Sequence, residues 1–189
     1  MRHQKAHGNG HFIAKMNSLT DKVIIQKMYE ASQAGVKIEL NIRGICCLIP
    51  GIPGVSENIS VRSIIGRFLE HSRIYSFHNN GQNELFLSSA DMMTRNMENR
   101  IEIAFPVLDK KIRKEISHAL DLFFSDNLKT WVLNQNGHYE KLQPNSEKPI
   151  SAQIEFMKMA QANANQQNQS KQTDKWFARL LKQWQKFLK

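Results

Sequence analysis

Arg43, Arg62, Arg67, His71 and Arg73 fall in one short stretch of the chain with no matching cluster of carboxylates. A guanidinium is planar and can meet two phosphate oxygens at once, which an ammonium cannot imitate. An imidazole titrates near neutral pH, so His71 could protonate a leaving oxygen or stabilise it as a charged hydrogen-bond donor. Together these residue types suit phosphoryl transfer, in which positioned cations neutralise the equatorial oxygens and align the incoming and leaving ones. Arg95 lies just beyond the stretch and joins Arg62, Arg67 and Arg73 as a further candidate contact for a phosphate chain. The remaining histidines, His3, His7, His11, His78, His118 and His138, have no metal-ligand spacing, and no metal is assigned. Cys46 and Cys47 are adjacent and have no second pair, so they read as small apolar residues and not as a redox or metal motif.

The elements that must hold these residues are legible in outline. Phe12–Ala14 reads as a strand, and an Asn17/Ser18 cap leads into a helix with Leu19, Val23, Ile24, Met28 and Ala31 at helical spacing, ending at Gly35. Val36–Ile42 alternates as a strand, which places Arg43 at a strand end. Pro50, Gly51, Pro53 and Gly54 then fix a loop, after which Ser56 or Asn58 is expected to cap a short helix running to about Leu69. Arg73–Phe77 and Glu84–Leu87 read as strands joined by an Asn79-Asn80-Gly81 turn, and Arg100–Phe105 as another. Asp109–Phe124 has the apolar face Ile112, Ile116, Ala119, Leu120, Phe123 of an amphipathic helix; Leu128–Leu133 closes the sheet, and Ile150–Ala160 is a last helix. The alternation of strands and helices makes the chain α/β, with a mixed sheet covered by helices and its ligand site at strand ends.

A chain of 189 residues with 41% apolar content supports one core, and no window is apolar for long enough to cross a bilayer. The net charge of +9 favours polyanionic partners. Lone adjacent cysteines and an N-terminus without an apolar signal region point to a cytoplasmic chain.

The stretch Arg43–Asn96, RGICCLIPGIPGVSENISVRSIIGRFLEHSRIYSFHNNGQNELFLSSADMMTRN, resembles the second phospholipase-D-like domain of polyphosphate kinase, and the likeness extends over about Phe12–Ala160. The resemblance implies a phospholipase-D-like fold, ATP and inorganic polyphosphate as substrates, and magnesium in the full enzyme, with no residues here identifiable as its ligands. Arg43, in RGICCL, matches an arginine implicated in binding nucleotide phosphates, and His71, in FLEHSR, a catalytic histidine of the same site. His71-x-Arg73 looks like a phospholipase-D-type His-x-Lys motif with arginine for lysine, and Ser88-Ser89-Ala90-Asp91 takes the place of its later small and polar residues. Met92 stands where the family usually has tryptophan. The family's phosphorylated histidine, its metal site and its N-terminal helical part belong to regions absent from this sequence. A carboxy-terminal half with little turnover alone, working with the rest of a homodimeric enzyme, is therefore expected.

Domain boundaries follow: 1–160 for the catalytic-type domain, 161–174 for a polar low-complexity linker, and 175–189 for a basic amphipathic helix able to dock on protein or on an anionic membrane surface. The competing function is a noncatalytic module that retains polyphosphate or nucleic acid by charge. A phosphodiesterase built from paired single motifs is disfavoured by Arg73.

Overall fold

The computed structural model describes residues 1–144 and 148–165, and residues 1–151 form one unit. The central strand β1 (His11–Met16) puts Phe12, Ala14 and Met16 on one side of the sheet and His11, Ile13 and Lys15 on the other. It pairs in parallel with β2 (Lys37–Ile42), which pairs in parallel with β3 (Ile59–Ile64). Antiparallel strands extend both sides: β4 (Ile74–Phe77), β5 (Glu84–Ser88) and β6 (Ala104–Pro106) beyond β1, then β7 (Thr130–Leu133) and β8 (Tyr139–Lys141) beyond β3. The order is β6-β5-β4-β1-β2-β3-β7-β8, a mixed α/β sheet.

The α-helices of the first unit are α1 (Arg2–His7), α2 (Lys22–Gln33), α3 (Thr94–Glu98) and α4 (Lys110–Ser125). The larger core joins Met28 of α2 to Ala14, Met16, Ile38, Leu40, Ile42, Ile59 and Val61. On the opposite sheet face, Leu120 of α4 packs with Ile74 and Leu85, and Ile13 joins them. Period-two side-chain alternation lets a strand serve both layers.

Several local expectations are corrected. The segment after the proline-glycine loop is strand β3, not a helix to Leu69: ISVRSI carries the β-branched residues Ile59, Val61 and Ile64 and pairs with strands on both sides. Helix α2 is capped by Asp21, whose carboxylate accepts from Ile24 N at 2.9 Å, and not by Asn17 or Ser18. Leu19 precedes the helix as a buried bridge residue, while Val23 faces outward. The strand expected at Arg100–Phe105 is the three-residue β6, and Ile112 is exposed on α4. The Asn79-Asn80-Gly81 turn holds all three residues at positive φ, tolerated by asparagine and glycine.

Within the second unit, residues 152–165 are helical. The helix thus continues past Ala160 into the polar segment, where Gln161, Ala162 and Ala164 are good helix formers. The rest of the expected linker and the helix expected at 175–189 lie outside the described residues.

Candidate functional site

Parallel pairing brings the ends of β1, β2 and β5 to one end of the sheet, and the 65–73 segment joining β3 to β4 crosses the ends of β2 and β1 there. Asn17 follows β1, Arg43 follows β2, Asp91 follows β5, and His71 lies on the crossing segment. This is the strand-end position at which α/β sheets gather ligand groups. Leu19 stitches the loops together: its N–H donates to Ile45 O and its carbonyl accepts from Cys47 N, both at 2.9 Å, while Thr20 N and Asp21 N donate to Met92 O. Gly44 N donates to Asn17 O at 2.7 Å, and a Cβ at Gly44 would stand 3.0 Å from that oxygen. The close approach sets Arg43 against Asn17.

One hydrogen-bonded chain runs through these loops. Arg43 donates Nε–H and Nη2–H to Asn17 Oδ1 at 3.1 and 3.0 Å. Asn17 Nδ2 donates to Asp91 Oδ1 at 3.1 Å, and Asn17 N donates to the same oxygen at 2.7 Å. Arg73 donates Nε–H to Asp91 Oδ1 at 3.2 Å and Nη2–H to Oδ2 at 3.0 Å, a bidentate ion pair whose side chains are 14% and 8% exposed. Arg73 Nη1 donates to the carbonyl of His71 at 3.1 Å. Burial pushes the Asp91 carboxyl upward, but hydrogen bonds from Arg73 and Asn17 outweigh it and hold the group below the usual carboxylate range.

Lys15 lies at the end of β1, 1% exposed, with its ammonium 5.0 Å from the centre of the Phe123 ring and no hydrogen-bond acceptor among the described residues. Burial lowers its pKa to about 8; Glu70 and Asp91 act to raise it, and Arg43 and Arg73 to lower it further. Those four charged groups are the ones that bear on its ionisation. Tyr75 OH donates to Ala90 O at 2.8 Å and anchors the Asp91 loop from below.

The structure therefore joins Arg43 and Arg73 through Asn17 and Asp91, and attaches the backbone of His71; the His71 side chain itself is exposed. Arg62 is held elsewhere, donating Nη1–H to Phe124 O at the end of α4 and stacking 5.0 Å from that ring. Arg67 lies exposed on the crossing segment over Phe68, and Arg95 is exposed on α3. Ser88 and Ser89 shape the loop: Ser88 Oγ donates to Ile103 O at 2.8 Å, and Ser89 Oγ accepts from Ile103 N at 3.0 Å and donates to Glu102. Cys46 packs against the core, where burial pushes its thiol up to about 11.

Lys15 and Asn17 were not among the residues the sequence singled out. The available signal was a lysine at an inward position of an apolar strand, followed after Met16 by the polar pair Asn17-Ser18, which reads equally well as a helix cap. Among the described residues no group of three or more His, Cys, Asp and Glu is placed to hold a metal, and both oxygens of Asp91 are engaged by Arg73 and Asn17. The donor set does not fit magnesium. No described helix is long and apolar enough to cross a membrane.

Residues 1–153 match the family model described as polyphosphate kinase C-terminal domain 2. A polyphosphate kinase of Bacillus cereus is 56% identical over 165 residues, covering 87% of this chain and 24% of that protein. One from Staphylococcus saprophyticus is 50% identical over 195 residues, covering 98% and 27%. The crystal structure of polyphosphate kinase from Porphyromonas gingivalis superimposes with a TM-score of 0.82 at 42% identity, over 87% of this chain and 25% of that one. The chain thus spans about a quarter of the length of these relatives. With the matched model covering most of the sequence and the strand-end loops in place, the chain belongs to the polyphosphate kinase family and carries its C-terminal domain 2.

Proposed function

We propose that this chain is the carboxy-terminal phosphate-holding part of a polyphosphate kinase, serving reversible transfer of the terminal phosphate of ATP to inorganic polyphosphate. The observation that carries the reading is the hydrogen-bonded chain Arg43–Asn17–Asp91–Arg73–His71 carbonyl. It fixes two guanidinium groups and the segment bearing an exposed imidazole at one end of the sheet before any ligand arrives.

In this reading Arg43, oriented by Asn17, contacts the nucleotide phosphates and neutralises charge on their oxygens. Arg73 is committed to Asp91, so it holds the His71 segment in place and adds positive potential more than it adds direct contact. His71 reaches the same phosphates from the crossing segment and donates a hydrogen bond or a proton to the leaving oxygen. Preset cations cost no reorganisation as charge develops in the transition state. The phosphorylated histidine and the magnesium belong to the remainder of the enzyme, with which this chain works in an assembled homodimer. Arg67 and Arg95, exposed near the site, serve as outer contacts for the polyphosphate chain.

The test joins the chain to the rest of a polyphosphate kinase and measures polyphosphate synthesis with Arg43→Ala and His71→Ala. Each is expected to lower turnover by about a hundredfold or more, in the range for loss of a transition-state donor. Full synthesis by both variants removes the assignment.

A further inference from the structure

The geometry points to Lys15 as a further phosphate-binding residue of this site, its ammonium meeting an anionic oxygen from the sheet side while Arg43 meets the phosphates from the loop side. This rests on the reading of Arg43 as a phosphate ligand. The first support is an unsatisfied donor in a place where donors are not left unsatisfied without cause. Among the described residues Lys15 Nζ, which is buried, has no acceptor, and its ladder partner on β2, Asn41, is 2% exposed with Nδ2 also unpartnered. Parallel register sets these side chains next to each other on one face of the sheet. Two adjacent buried donors, one of them charged, are costly unless an acceptor serves them.

The second support is the charge pattern around that ammonium. Arg43 follows β2, Arg73 precedes β4, Asp91 follows β5 and Glu70 belongs to the crossing segment, and all four bear on the ionisation of Lys15; α4 contributes the Phe123 ring. Asp91 is already saturated by Arg73 and Asn17, so its carboxylate does not accept from Lys15. A phosphate chain brings several oxygens, each able to accept from such a donor, and the segment from Ile65 to Leu69, exposed throughout, is the part of the fold that lies across this end of the strands. A bound oxyanion would offset both the desolvation of the ammonium and its repulsion from the two arginines.

Protonation gives the discriminating readout. Lys15 sits near a pKa of about 8 without ligand, and a bound anion raises it, so binding above pH 8 takes up a proton and weakens as pH rises. The probe is inorganic tripolyphosphate, titrated calorimetrically into the full chain and into Lys15→Met, Lys15→Arg and Arg43→Ala between about pH 7 and 9.5. The ligand's own titration is common to all four proteins and cancels between them. Lys15→Met should bind about tenfold more weakly at pH 7, the scale of one charge-assisted hydrogen bond, and lose the part of the pH dependence due to Lys15. Lys15→Arg should keep the affinity at pH 7 and hold it at pH 9.5, because guanidinium does not titrate there. Unchanged affinity and pH profile in a cooperatively folded Lys15→Met, with weakened binding in Arg43→Ala, overturns the role of Lys15 alone. Unchanged binding by Arg43→Ala, or none by the unaltered chain, overturns the reading on which it rests.

Discussion

The side-chain amide of Asn17 faces Arg43 with its oxygen and Asp91 with its nitrogen. It accepts twice from the one and donates to the other. An amide can do both because it carries an acceptor and donors on one planar group. Among the described residues Arg43 therefore has no direct carboxylate partner; a neutral group orients it, and its charge stays available for an incoming phosphate.

Asn17→Ala should consequently impair phosphate binding more than folding. Removing the amide frees the guanidinium to rotate and leaves Asp91 one donor short. Phosphate affinity, or turnover in the assembled enzyme, is expected to fall about tenfold to a hundredfold, with a change of melting temperature corresponding to about 1 kcal/mol. Asn17→Asp should be worse for stability, since it sets a second carboxylate against Asp91. Equal activity in Asn17→Ala would show that Arg43 needs no orienting partner.

The Arg73–Asp91 pair supplies the second prediction. Breaking a buried pair strands a charge, so Asp91→Asn is expected to cost about 3–5 kcal/mol at pH 7 by chemical denaturation. Because the folded-state pKa of Asp91 is depressed, its contribution is fully present above the ordinary carboxylate value of about 3.9 and is lost as pH falls through the lower folded value. The difference between the unaltered chain and Asp91→Asn should therefore hold between about pH 5 and 7 and shrink below about pH 4. A double variant, Arg73→Met with Asp91→Asn, should recover part of the loss by removing both charges. Additive losses in that cycle would mean the two side chains are not coupled.

Much of this arrangement can be read from local sequence. The β1-α2-β2 unit, the β4-β5 hairpin with its Asn-Asn-Gly turn, and the amphipathic α4 declare themselves by periodicity and turn chemistry, and the β2 end places Arg43 at a strand terminus. What is hidden depends on partners distant in sequence. Residues 59–64 form a strand because β2 and β7 flank them, whereas the run Ile64, Ile65, Phe68, Leu69 imitates a helix face. Asn17 looks like a cap until Asp91, on the loop after β5, takes its backbone N–H. Arg62 looks like one more phosphate ligand until the carbonyl of Phe124 claims it. Nothing local marks Lys15 as buried, because the ring that lies against its ammonium, Phe123, comes from α4, far along the chain.

Gly44 offers a test of how tightly the loops must close. Its N–H already donates to Asn17 O at 2.7 Å, and a methyl there would sit 3.0 Å from the same backbone oxygen, which cannot swing away as a side-chain tip could. Gly44→Ala is expected to destabilise by about 1–2 kcal/mol through overpacking, while lowering phosphate affinity by more than that stability loss explains, since the displaced backbone carries both Arg43 and Asn17. Measuring the melting temperature and tripolyphosphate affinity of the same variant separates the two. A loss of stability with full affinity would mean that the site tolerates the shift.

Lys15 makes the opposite trade, costing stability in the absence of ligand. Its pKa falls from 10.5 to about 8 on folding, so at pH 7 the folded state bears the whole burden of a buried ammonium, about 3 kcal/mol at about 1.4 kcal/mol per tenfold in proton affinity. That burden is constant below pH 8, declines as pH rises and vanishes above 10.5, because the folded state sheds the proton first. Lys15→Met, of similar length and uncharged, should thus be the more stable protein at pH 7 by denaturant midpoint, and its advantage should fade toward about pH 10. Tripolyphosphate should narrow the gap from the other side: at a hundred times the dissociation constant a ligand adds about 2.7 kcal/mol to the protein that binds it, and the unaltered chain binds it better. If Lys15→Met proves less stable at pH 7 without ligand, the ammonium already has a partner in the folded chain, and no phosphate oxygen is needed to satisfy it.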